Sequence, residues 1–198
     1  DCLLAFQQDN IKVLKQIIRA SHSCQVLNIL KEYIYQHLIL PTIQQQLSTS
    51  YLQSLYTSIN DNDESSITSS FSNHLSSIKK QLDLLVQCDQ IHYPYLSLNY
   101  TFLILKAIIS CLMTLETTTL YASGTIQAFQ HNYNLTMNIL LEFERMFQLQ
   151  HVIAHPYSQT LLKGYKLYIY FQLIHRHVAQ QLEPLYKSSS IPVLLTTT

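Results

Sequence analysis

Residues Leu96–Leu115 read LSLNYTFLILKAIISCLMTL, twenty positions with a single charge, Lys106, and neither glycine nor proline. The run is too long for one strand and apolar nearly all round, which predicts a helix covered on most sides by other helices. Its length also matches the thickness of a bilayer. Lys106 would then lie near mid-membrane, and Asn99 and several hydroxyls would add to the cost, so the run is read as the buried centre of a helical domain.

The flanks carry the same periodicity. Upstream, Leu75, Ile78, Leu82 and Leu85 recur at helical spacing behind a cap at Ser72 or Asn73, and Tyr93-Pro94 ends that helix. Downstream, Thr117-Thr118-Thr119 interrupts before a long helix through Ile126, Phe129, Tyr133, Met137, Leu140, Phe143 or Glu144, and Phe147. Pro156 suits the first turn of a last helix with the stripe Leu161, Leu162, Tyr165, Tyr168, Ile169, Gln172 and Leu173, ending near Leu182 before Pro184. At the other end, Asp9 or Asn10 caps Ile11, Leu14, Ile17 and Ile18. A second helix through Val26, Leu27, Leu30, Ile34 and Leu38 stops at Pro41, and a third steps through Ile43, Leu47, Tyr51, Leu55 and Ile59. The stretch Asn60–Ser72 is dominated by turn formers and hydroxyls. The expected organisation is N-terminal helices over 1–59, a loop or disordered insert over 60–72, a helical core of the same domain over 73–183, and a flexible tail over 184–198. The fold class is all-α, an irregular bundle of about six to seven helices around the buried apolar one.

Composition excludes more than it proposes. Only Gly124 and Gly164 occur in 198 residues, so dinucleotide folds, P-loops and nucleophile elbows lack the residues their backbones need. Gly124 is read as a close-packing position near a helix start. Twelve basic and twelve acidic residues give a formal net charge of +0, with Lys79-Lys80 the only adjacent basic pair, so no field draws the chain to nucleic acid or anionic lipid. Cys2, Cys24, Cys88 and Cys111 have no metal-site spacing and are read as buried reduced thiols of an intracellular protein. Asn99-Tyr-Thr and Asn134-Leu-Thr match the glycosylation triplet but fall in predicted helices. The chain opens Asp1-Cys2 without an initiator methionine and is read as a segment of a longer protein.

The candidate sites are few. His151 and His155 stand four apart, with His175 and His177 on the last helix, but HVIAH lacks the glutamate of a zinc-peptidase motif and Pro156 breaks the helix, so no metal site is assigned. Glu142 and Glu144 point to different faces and are read as a solvated surface with Arg145. No nucleophile, base and orienting group can be assembled, so no catalytic residue is assigned and the chain is not expected to be an enzyme. Tyr165, Tyr168 and Phe171, with Tyr170, form an aromatic cluster that either lines a ligand or partner surface or fills the core.

As an ordered series, these segments resemble the middle homology, or regulatory, domain of fungal zinc-cluster transcription factors. The matching stretch is SIKKQLDLLVQCDQIHYPYLSLNYTFLILKAIISCLM, Ser77–Met113, where Leu96-Ser97-Leu98-Asn99-Tyr100 opens the apolar helix as an "L-x-L-x-Y" element does in that family. A long amphipathic helix, Tyr121–Phe147, and a proline-led last helix, Pro156–Leu182, follow in the family's order. The resemblance implies a non-catalytic nuclear module that modulates transcription by binding a small apolar ligand or a protein co-regulator. It also implies no cofactor in this segment and no direct nucleic-acid contact. Nothing here matches the six-cysteine cluster, so zinc and DNA are expected to belong to a separate module. A cytoplasmic helical scaffold or vesicle-tethering subunit is the alternative, since such proteins share low charge and long amphipathic helices.

Overall fold

A computed structural model describes residues 8, 10–57, 64–90, 99–121 and 125–188, with backbone alone for 64–68, 89–90 and 185–188. The described residues are all-α, without a strand, as expected. At the centre is the apolar run, here α7 (Tyr100–Leu112), although its elements are first met in chain order: α1 (Ile11–Ser23), α2 (Leu27–Ile34), a π-helical turn (Tyr35–Ile39), α3 (Leu40–Gln46), α4 (Thr49–Thr57), α5 (Glu64–Gln81) and α6 (Asp83–Gln90). After α7 come α8 (Thr117–Tyr121), α9 (Ile126–Phe147), α10 (Pro156–Lys163) and α11 (Leu167–Ser188). Among the described residues, no helix is long and apolar enough to cross a membrane.

Helix α7 is buried at every position except Phe102, Lys106 and Ser110, which fall on one i, i+4, i+8 line. That seam is covered rather than open. The Lys106 ammonium lies 4.2 Å from the centre of the Tyr35 ring, and the Ser110 hydroxyl donates to the Lys106 carbonyl at 2.8 Å. Phe102 is stacked by the His155 ring, 4.2 Å between centres. A cation thus sits on an otherwise apolar helix because its stem lies along the surface and its head meets an aromatic face. Leu103, Ile104, Ile108 and Leu112 are in the core, packed chiefly by α3, α6, α10 and the π turn. The long helix α9 packs instead on α5, α8 and α11.

Several expected boundaries move. Asn10 does cap α1, accepting from the Val13 N–H at 3.2 Å. Pro41, however, does not stop the second helix: α2, the π turn and α3 run without a break from Leu27 to Gln46. The Leu40 N–H reaches back five residues to the Tyr35 carbonyl, and this widened turn precedes a proline whose ring would crowd a regular helix. The break comes at Leu47, and Ser48 caps α4 by accepting from the Tyr51 N–H at 3.3 Å.

The stretch 60–72 is not a loop throughout. Residues 58–63 lie outside the described set, but from Glu64 onward the chain is helical, and Ser72 and Asn73 are inside α5, not at its cap. Phe71 begins a fully buried line with Leu75, Ile78 and Leu82, and its serine neighbours find partners: Ser70 meets the Tyr51 hydroxyl at 3.3 Å and Ser72 donates to Glu142 at 2.6 Å. Thr117-Thr118-Thr119 likewise opens a short helix, α8. The single last helix expected from Pro156 is two. Pro156 does start α10, but the Leu167 N–H bonds the Tyr165 carbonyl at 2.7 Å, a turn too tight for a helix, and α11 begins only after it. Helix α11 then runs through Pro184 to Ser188 instead of stopping near Leu182. The expected ends at Tyr93-Pro94 and the tail beyond 188, with Cys2 and Gly124, lie outside the described residues.

Candidate functional site

The turn between α10 and α11 positions everything that follows. Tyr165 is its anchor, 2% exposed, so it belongs to the core and not to a surface. Its ring is met edge-on by Tyr121, Tyr133 and Phe129, with centres 4.8, 5.4 and 5.7 Å away. Its hydroxyl ends a buried chain: Tyr56 to Thr136 at 2.7 Å, Thr136 to Tyr165 at 2.7 Å, and Tyr165 to the carbonyls of Leu120 and Asn132 at 2.9 and 3.0 Å. Each hydroxyl has one proton and a carbonyl only accepts, so the bonds run from Tyr56 through Thr136 to Tyr165 and on to the backbone. Asn132 adds donations from its side-chain amide to Thr119 O at 2.6 Å and Leu120 O at 3.3 Å. Burial, with Tyr56 close by, pushes the Tyr165 phenol far above its ordinary range, and burial does the same to Tyr56. These hydroxyls therefore join α4, α8, α9 and the turn; they are not poised for proton transfer near neutral pH.

Gly164 precedes Tyr165 in ordinary right-handed helical backbone, so its lack of a side chain answers to space, not to conformation. A Cβ there would overlap the ring of Tyr121. The close approach leaves a cleft of about 450 Å³ beside the turn, lined by Thr117, Thr118, Tyr121, Phe129, Gly164, Lys166 and Ile169. Its walls include two aromatic rings and an isoleucine, and the residues around it that carry polar groups are Thr117, Thr118, Lys166 and Tyr121. The Lys166 ammonium has no partner among the described residues. Such a lining suits an apolar body carrying one anionic group.

Helix α11 closes one side of the cleft and turns its other side away from the protein. Ile169, Tyr170, Leu173 and Ile174 are half-buried toward α9, with Tyr170 stacked on Phe129 at 4.8 Å. Tyr168 is 62% and Phe171 65% exposed. Of the three aromatic candidates, Tyr165 is thus packed inside, whereas Tyr168 and Phe171 lie together on an outer face. They are joined there by Leu167, Val178 and Leu182, also exposed.

The remaining candidates resolve into local roles. His155 is the N-cap of α10: its Nδ1 accepts from the Tyr157 N–H at 3.3 Å, and burial holds the imidazole below its ordinary pKa. His151 has a left-handed backbone with φ 62°, and His175 and His177 are exposed on α11. No group of three or more metal-ligating side chains converges among the described residues. Glu142 pairs with Arg145, whose hydrogen bond is the main reason the carboxyl is held below its usual range, while Ser72 adds to the effect. Glu144 accepts from the Val152 N–H at 3.0 Å and so secures the connection to α10 rather than facing solvent. Cys111 is buried and its thiol is pushed up to about 11 by burial, but Cys24 is exposed and Cys88 only half-buried, against the expectation of uniformly buried thiols.

Thr136 and Asn132 were not legible as site residues. Of the expected stripe of the long helix, Phe129, Leu140, Phe143 and Phe147 are buried, whereas Ile126, Tyr133 and Met137 are only partly so, and a second buried line runs through Phe129, Asn132, Thr136, Ile139 and Phe143. The available signal was the three-and-four spacing of that second line, hidden because two of its members are polar. The chain matches no protein-family model, no curated protein and no solved structure.

Proposed function

We propose that this chain is a non-catalytic regulatory module that takes a small apolar ligand with one anionic group in the cleft beside the α10–α11 turn. The observation behind this reading is the division of labour at the start of α11. Lys166, the residue just before the helix, and Ile169 line the cleft, while Leu167, Tyr168 and Phe171, their neighbours, face outward. A ligand that shifts the inner residues therefore moves the outer ones, because a packed helix moves as a rigid element. The resemblance suggests the setting, regulation of a fungal zinc-cluster transcription factor in the nucleus, with zinc and DNA held by another module.

Thermal denaturation with decanoate and decanol tests the cleft. Decanoate should raise Tm while decanol, of the same length without the charge, does so less, and Lys166→Met should erase the difference. Equal effects of the two compounds on the unaltered chain would refute an anion-reading cleft. For the setting, Tyr168→Leu in the full-length parent should alter reporter output at constant protein abundance. Parallel loss of both, or a parent without a DNA-binding module, would end the transcriptional reading.

A further inference from the structure

The outer face of α11 has a pattern of its own. Tyr168, Phe171, His175, Val178 and Leu182 are spaced by three, four, three and four, the repeat of a coiled-coil seam, and all five are exposed. The seam lies on the side of the helix opposite Ile169 and Leu173, so α11 has two apolar faces, of which the body covers one. From His175 to Pro184 every residue is exposed, so these ten residues of helix lie largely at the surface. A helix that short is marginal in water on its own and draws its stability from packing of an apolar face.

We infer that this face pairs with the α11 of a second copy of the chain, antiparallel, about a two-fold axis passing between Arg176 and His177. In that register Phe171 lies across from Leu182 of the second copy and His175 across from its Val178, so each larger side chain meets a smaller one and the pattern complements itself. The flanking positions, Gln172, Ile174, Ala179 and Gln181, are uncharged, and Arg176 and Glu183 lie off the seam, so two copies meet without opposing like charges. The exposed apolar side chains form a patch on the order of 500 Å² per copy. Two such patches bury about 1,000 Å², the lower end of specific interfaces, and predict a reversible dimer in the micromolar range. The pairing stands whether or not the cleft takes a ligand.

Sedimentation equilibrium on the full chain from about 1 to 200 µM tests this. The expected result is a concentration-dependent monomer–dimer equilibrium that weakens at least about tenfold with Phe171→Glu and with Val178→Glu. Both positions are exposed, so unchanged helical circular dichroism should accompany the loss. His175→Leu should tighten the dimer. In a chain with Cys24→Ser, the pair Phe171→Cys and Leu182→Cys should oxidise to a disulfide joining position 171 of one copy to position 182 of the other. A chain that is monomeric at the highest concentration, a dimer indifferent to both glutamate variants, or a linkage between the two 171 positions overturns the inference.

Discussion

Tyr165 shows how little an aromatic pattern says about the side chain that belongs to it. The residue sits three before Tyr168 and six before Phe171 in the sequence, yet it is enclosed while they are exposed. The difference comes from the tight turn at Tyr165–Leu167, which no periodicity of apolar residues encodes. Its hydroxyl is worth testing apart from its ring. Tyr165→Phe keeps the edge contacts but leaves the Thr136 hydroxyl without its acceptor and takes one donor from the Leu120 and Asn132 carbonyls, of which Leu120 keeps the Asn132 amide, at a cost of roughly 1–3 kcal/mol. At this chain length that should lower Tm by about 3–10 °C in thermal denaturation. Because Thr136 loses its acceptor in the same step, Thr136→Val combined with Tyr165→Phe should cost less than the two substitutions summed. Additive losses would mean that the hydroxyls act separately.

At the level of elements, apolar periodicity located the helical segments well and their ends poorly. The centre of the buried helix, the Asn10 cap and the start at Pro156 all follow from local chemistry, and all three are present. Pro41 and Pro184 failed as stop signals because each helix accommodates its proline, one behind a widened turn and one in a segment of exposed residues. The serine-rich start of α5 failed because hydroxyls that resemble loop composition are here bonded across to α4 and α9, and Lys79 adds a donation to the Met146 carbonyl at 2.7 Å. Phe71 separates the two readings. In a surface loop Phe71→Ala would be close to neutral, whereas emptying its buried place between α5 and its neighbours should cost roughly 3–5 kcal/mol, read as a lowered urea midpoint.

Over the whole molecule, one buried cluster takes residues from Leu14 in α1 to Leu161 in α10, so the N-terminal helices and those around α7 share a core. Urea unfolding should accordingly give a single transition, coincident by circular dichroism and tyrosine fluorescence. Two separated transitions would show that the halves are stable on their own. The cleft lay beyond reach of the sequence for the same reason, since Thr117, Phe129 and Lys166 come together only after α8, α9 and the α10–α11 turn have packed.

The Lys106–Tyr35 contact carries a consequence for how such a core becomes unique. A cylinder of leucine and isoleucine can spin about its long axis with little change in the area it hides, so burial alone leaves α7 several nearly equivalent settings. One ammonium removes that freedom: turning the helix by a single residue would drive the charge inward, away from the strip where Tyr35 receives it. The lone cation works as an index mark, and the most apolar segment of the chain owes its fixed orientation to its least apolar residue.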